Sequence, residues 1–247
     1  MSELTEFSFD TIITPDMCGK TGRLNPAAMF ALFQSAACMH AEAIGNGTAV
    51  LDSQQRYWVA THTRVDFFAE AGIMQQLRVT TRPHSAKPKA VRALRSYGLS
   101  RSDTPIAEGV TEWIILGRDG SFSRFCDYGF PDGFEFDEHV ACGGKLSRFR
   151  DEFSAEDEVY SFVVRQSSID TGRHMNNVAY VRAFLDCFTA DEVAEMPIRS
   201  MEARYVTACM EGETLRIFKK RTDDGYLLGL RRADDKCAAF LKITLGE

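Results

Sequence analysis

The sequence predicts an α+β fold built twice in tandem, each half a long buried helix enclosed by a curved antiparallel sheet. Three observations predict it. The order strand, turn, helix, strands occurs twice along 247 residues. The first helical stretch, AAMFALFQSAACMHAEAIG at 27–45, is apolar nearly all round, so it has to be enclosed rather than half exposed. Four strand-like segments follow each helix.

In the first half, FSFDTIIT (7–14) alternates as a strand does, and DMCGKTGR forms a Gly-rich turn. Pro26 suits the first helical turn, and Gly45 stops the helix. WVATHTRVDFF (58–68), QLRVTTRPH (76–84), AVRALRSYGLSR (90–101) and IAEGVTEWIIL (106–116) are the strands. The second half repeats the programme. YSFVVRQSSI (160–169) is a strand, DTGR a turn, and NVAYVRAFLDCFTADEVAEM (177–196) one helix ending before Pro197. EARYVTAC (202–209), TLRIFKK (214–220), YLLGLRRA (226–233) and CAAFLKITL (237–245) are strands.

The halves align. GR at 22–23 and at 172–173 precedes each helix, and VDFFAEAGIMQQLRV (65–79) runs without a gap against ARYVTACMEGETLRI (203–217). Residues 117–159 are rich in Gly, Phe and acids, lack periodicity, and read as a connection. A helix apolar on every face, enclosed by a curved sheet, is the hotdog architecture. The expectation is therefore a double (tandem) hotdog, with halves at 1–140 and 150–247 and their sheets joined edge to edge.

Composition excludes several classes. The chain is 45% apolar and 26% charged, as soluble globular proteins are, and its net charge of −6 argues against general nucleic-acid binding. Seven cysteines without a CxxC pair point to reduced thiols and a cytoplasmic protein, with no metal site expected. The start, MSELTEFSFD, has no signal-peptide pattern. No membrane span is expected, since the best candidate, 27–44, contains Gln34, His40 and Glu42.

Between strand and helix in the second half lies SIDTGRHMNNVAY (168–180). Its D-x-x-x-H-x-N-N-x-x-Y pattern resembles the acyl-acyl-carrier-protein (acyl-ACP) thioesterases. GRLNPAAMFALFQSAACMHAEAIG and YWVATHTRVDFF look like that family's first helix and following strand, and the resemblance covers nearly the whole chain. It implies hydrolysis of the thioester between a fatty acyl chain and the phosphopantetheine of acyl carrier protein, in fatty acid biosynthesis, with no dissociable cofactor. It also implies a catalytic second half and a first half that supplies most of the acyl pocket. The family's catalytic aspartate and histidine fall on Asp170 and His174. Its asparagine position holds Gly172, and its strand Glu-Cys pair falls on Ala208 and Cys209. An acyl-CoA thioesterase on the same fold, or an acyl-binding protein that has lost catalysis, are the alternatives.

On chemical grounds His174 suits a general base, because its unperturbed pKa lies near neutrality. Asp170 could orient it or activate water. The N–H groups from Met175 to Asn177, at a helix start, could hold an oxyanion, with Asn176 supporting the turn. Cys209 is a nucleophile only if deprotonated beside His174. Glu70 aligns with Ala208, but its own half then sets Leu24 against the histidine, so it reads as a solvated strand-end charge. Met29, Phe33, Trp58 and Phe68 are candidates to line the pocket, among aromatic and Met side chains most of which are core. Carrier protein is acidic, so a basic patch is needed to dock it. Residues 78–101 hold Arg78, Arg82, Lys87, Lys89, Arg92, Arg95 and Arg101 without an acid, and Arg82, Lys87, Lys89 and Arg92 are the docking candidates. A tandem hotdog is complete as a monomer, and a homodimer through an exposed sheet edge or face is also expected.

Overall fold

The structure is a computed structural model that describes residues 5–87 and 89–246. It divides into two compact units. One holds the residues up to Cys18 together with Gly22–Lys145; the other holds Gly19–Thr21 and the chain from Leu146 onward. The expected connection therefore splits, and its part up to Lys145 clusters with the first unit.

The first unit begins with β1 (Phe7–Ile12) and a 3-10 turn at Pro15–Met17. Helix α1 (Pro26–Ala43) starts where Asn25 Oδ1 accepts the Ala27 N–H at 2.8 Å, with Pro26 in the first turn. A short α2 (Thr48–Ser53), which the periodicity does not announce, leads to β2 (Arg56–Phe67), β3 (Gln76–Pro83), β4 (Arg92–Arg101), β5 (Thr104–Gly117) and β6 (Phe122–Ser123). The strand order is β1-β3-β4-β5-β2, all antiparallel, with β6 added to β5. Phe33 of α1 presses so closely on β5 that a Cβ at Gly109 would come within 2.7 Å of its ring, so only glycine fits there. The first half of α1 is enclosed as expected. Its second half is not: Ser35, Cys38, Met39 and Glu42 form an exposed strip at helical spacing. The Phe-rich stretch after β6 also has a function in the fold, because Phe125, Phe130, Phe134 and Phe136 cluster with ring centroids 4.7–6.3 Å apart.

The second unit repeats the order with β7 (Glu158–Val163), a 3-10 turn at Gln166–Ser168, α3 (Asn177–Leu185), α4 (Ala190–Glu195), β8 (Ile198–Tyr205), β9 (Thr214–Thr222), β10 (Gly225–Arg231) and β11 (Cys237–Leu245). Its strand order, β8-β11-β10-β9-β7, is that of the first unit read from the other end. The single helix expected over 177–196 is two. Thr189 caps a new helix through a box in which its hydroxyl accepts the Glu192 N–H and the Glu192 carboxylate accepts the Thr189 N–H. That T-x-x-E signal was legible in the sequence and outweighs the continuous apolar pattern. Val178, Val181, Phe184 and Leu185 of α3 are buried, with Phe184 fully enclosed. Each unit thus sets a principal helix, α1 of 18 residues or α3 of 9, against an antiparallel sheet, the hotdog arrangement.

Candidate functional site

The site lies on the turn from Ser168 to Asn177, between β7 and α3. Asn176 builds it. Its Oδ1 accepts the Val178 N–H at 2.8 Å and caps α3, while its Nδ2 donates to Asp170 Oδ2 at 3.2 Å. Asp170 Oδ1 accepts the Gly172 N–H at 2.8 Å, an Asx turn, and the Asp170 N–H donates to the His174 carbonyl at 3.1 Å. Arg173 takes the left-handed conformation that closes the loop, with φ of 62°.

His174 Nδ1 lies 3.2 Å from the Met175 carbonyl and 3.9 Å from Asp170 Oδ1. A carbonyl only accepts, so Nδ1 carries a proton, and in the neutral imidazole the lone pair is then on Nε2. The ring lies over Gly172: a Cβ there would stand 2.8 Å from Nε2 and 3.0 Å from Asp170 Oδ1. Both side chains are about a quarter exposed, at 26% and 27%, so water reaches them.

The backbone around the histidine is more committed than the sequence suggests. The Met175 N–H donates to the Cys209 carbonyl and the Asn176 N–H to that of Ser168, so of the three helix-start groups only that of Asn177 lies outside these bonds. Cys209 is fully buried, its N–H donating to the Tyr180 hydroxyl at 2.9 Å. Burial pushes its thiol up, away from the thiolate a nucleophile needs, and burial likewise raises the Tyr180 phenol.

Hydrogen bonds correct the internal alignment by one residue. In the first unit the Leu24 N–H donates to Ala71 O and the Asn25 N–H to Met17 O, as Met175 and Asn176 bond to Cys209 and Ser168 in the second. Gly22, with φ of 71°, then matches Arg173 rather than Gly172, and Arg23 rather than Leu24 takes the place of His174. Glu70 matches Ala208, and its Oε1 accepts from Arg23 Nη1 at 2.6 Å. The first unit therefore holds an exposed ion pair where the second holds histidine and alanine.

The other expected residues separate. Met29 and Phe33 are buried on α1, and Trp58 packs half-buried against Leu51, Ile115 and Tyr128. Phe68, just past β2, is 56% exposed and does not line the interior, because the strand ends before it. The basic patch is mostly neutralised. Arg82 pairs with Glu6 and Asp137, and Arg92 with Glu112 at 2.6 Å. Arg78 lies 3.7 Å from Asp10, and Arg95 is buried. Lys87 and Lys89 remain exposed without an acidic partner among the described residues.

One group of metal-capable side chains comes together among the described residues: Asp66, Glu108 and Cys142, their ligand atoms within 4.8 Å of one another. Its charges are already engaged, since Arg64 Nε donates to Asp66 at 2.8 Å and the Cys142 N–H to Glu108 at 2.7 Å. Burial holds the Cys142 thiol protonated. The sequence could not foretell the group, because its members come from β2, β5 and the segment after β6. No described helix is long and apolar enough to cross a membrane.

Residues 152–246 match a family model described as the acyl-ACP thioesterase C-terminal domain. No curated protein matches the chain. Among solved structures, the chain is similar to an acyl-ACP thioesterase from Bacteroides thetaiotaomicron, with a TM-score of 0.87 and 18% identity over 99% of each chain. It is similar also to a 12:0-ACP thioesterase from Umbellularia californica, with a TM-score of 0.81 and 16% identity over 99% of this chain and 98% of that one. At these identities the structural likeness establishes the fold, a tandem hotdog.

Proposed function

We propose that this chain, whose residues 152–246 match the acyl-ACP thioesterase C-terminal domain model, hydrolyses fatty acyl thioesters of acyl carrier protein to free fatty acid. The observation that carries the reading is the imidazole of His174, which presents a free Nε2 to water while its Nδ1–H side faces a carboxylate 3.9 Å away. In the proposed reaction Nε2 takes a proton from water as the water oxygen bonds to the thioester carbonyl carbon. Asp170 favours the imidazolium that forms. Collapse of the tetrahedral intermediate breaks the C–S bond, and the proton passes to the departing phosphopantetheine thiolate. The Asn177 N–H is the backbone donor available to the oxyanion. Asn176 is a positioning residue, holding Asp170 and the helix start together. No cofactor enters these steps.

Lys87 and Lys89 are the proposed contacts for an acidic carrier protein. Reversing both charges raises KM for acyl-ACP and spares a small thioester; equal effects on the two substrates refute that role. Alanine at 208 favours a second reading, an acyl-binding protein without turnover. The deciding assay is hydrolysis of acyl-ACP and acyl-CoA of varied chain length by wild type, His174→Ala and Asp170→Asn. Carrier-dependent turnover that collapses in both variants supports the proposal, and a preference for CoA moves the substrate. Absent turnover from folded wild type favours the binding protein. Turnover that survives both substitutions removes the turn from the chemistry.

A further inference from the structure

Arg95 sits mid-strand on β4, and strand alternation turns it to the same face as Tyr97, whose ring stacks on Phe33 of α1 at 5.0 Å. It is 9% exposed. Its Nη1 donates to His40 Nδ1 at 2.9 Å and to Thr81 Oγ1 at 3.3 Å. Its Nε and Nη2, the edge that meets a carboxylate side-on through two parallel bonds, make no hydrogen bond to a described residue. Among the described residues its hydrogen-bond partners are His40 and Thr81 and its ionisable neighbours are Tyr97 and Cys38, none of them a carboxylate. His40 supplies no countercharge, because its Nδ1 accepts from the guanidinium. The Tyr97 hydroxyl is held neutral by burial and accepts from Trp113 Nε1 at 3.2 Å.

A guanidinium stays protonated in proteins, and a buried charge is tolerated when it is paired. The surroundings here are aromatic instead. The His40 ring stacks with Phe7 at 5.8 Å and with Phe134 at 6.5 Å between centroids. A ligand that satisfies both features is negative at one end and hydrocarbon along its length.

We infer that the interior of the first unit binds an aliphatic carboxylate, its oxygens on the Nε–Nη2 edge of Arg95 and its chain against Phe7, Phe33 and Tyr97. Two molecules carry that chemistry: an acyl substrate with a carboxyl group at its far end, and the free fatty acid itself. Binding stands apart from the proposed hydrolysis; the kinetic arm below rests on it.

The test is calorimetric titration of the full chain with dodecanoate and with dodecanol, in wild type, Arg95→Met and Arg95→Lys. Wild type is expected to prefer the acid by about tenfold or more, Arg95→Met to lose the preference, and Arg95→Lys, which folds with a charge but no fork, to lose most of it. Equal affinity for acid and alcohol in wild type, or an unchanged preference in either variant, overturns the inference. Glu3 lies outside the described residues, so Glu3→Gln is measured too. An unchanged preference is expected, and one that appears only in that variant would make the countercharge internal and overturn the inference. Hydrolysis of dodecanedioyl-CoA beside dodecanoyl-CoA separates the sources. If Arg95→Met lowers the ratio of their kcat/KM values, the substrate's far carboxyl is the ligand. If it relieves inhibition by dodecanoate and leaves the ratio unchanged, the released acid is. If it alters neither, the inference falls. A wild type that binds the acid but hydrolyses nothing keeps this inference and removes the thioesterase reading.

Discussion

Gly172→Ala is the sharpest probe of the site. The Cβ it adds would stand 2.8 Å from His174 Nε2 and 3.0 Å from Asp170 Oδ1, where ordinary contact begins at 3.4 Å. The imidazole, at the end of a side chain with two rotatable bonds, has to give by about 0.6 Å. The same loop loses little stability, because residue 172 is exposed and its φ is not left-handed, so the fold changes by no more than about 0.5 kcal/mol. Misplacing a reacting group by about 1 Å costs about a hundredfold in rate, so the expected loss in kcat is roughly ten- to a hundredfold. Gly172→Asn, which installs the residue the thioesterases are expected to carry there, brings the same Cβ and is expected to lose activity rather than gain it. The assay is single-substrate acyl-ACP hydrolysis beside a thermal melt. A Gly172→Ala enzyme with kcat within about twofold of wild type and an unchanged Tm would refute the placement of His174 over residue 172.

Asn176→Ala removes the cap of α3 and the donor to Asp170, and is expected to cost about 1 kcal/mol in denaturant unfolding along with activity. Asn176→Asp keeps the cap but sets a second carboxylate beside Asp170 Oδ2, so stability recovers and turnover does not; recovery of both would mean Asn176 matters only to the helix. Ala208→Glu puts a carboxylate at the position that Glu70 holds in the first unit, and is expected to raise the imidazole pKa and move the lower limb of the pH–rate profile upward. An unmoved limb refutes the correspondence of the two units. Burial holds His84 below the ordinary histidine value; its Nδ1–H donates to Asp137 O at 2.8 Å and its Nε2 accepts from Ser96 Oγ at 2.6 Å. The unfolded chain therefore binds the proton first. The stability His84 contributes is complete above about pH 6.5 and is lost as pH falls toward its folded value. His84→Gln flattens that part of the Tm–pH curve, and an unchanged slope counts against it.

Much of the architecture was legible because local chemistry encodes it. Asparagine before a helix, Pro26 after it, and alternation such as that of β3 are satisfied within a few residues, and their repetition along the chain exposes the tandem. Asp170, His174 and Asn176 came from one turn and stayed together for the same reason. The sequence by itself thus determined the repeated order of strand, helix and strands, the place of Pro26 in the first helical turn and the composition of the loop that carries the candidate chemistry.

Tertiary structure decided what depends on partners distant in the chain. GR matched GR in sequence, but the left-handed residue is Gly22 in one unit and Arg173 in the other, so hydrogen bonds to Ala71 and Cys209 set the register. A run of basic residues looked like one surface, yet alternation turned Arg95 inward, and acids from 6, 112 and 137 neutralised Arg82 and Arg92. Cys209 was reactive or inert according to whether water reached it, and the packing of α3 excluded water. Whether a charge is paired, a thiol wet or a strand face enclosed is a property of neighbours brought together by folding, which no local pattern states.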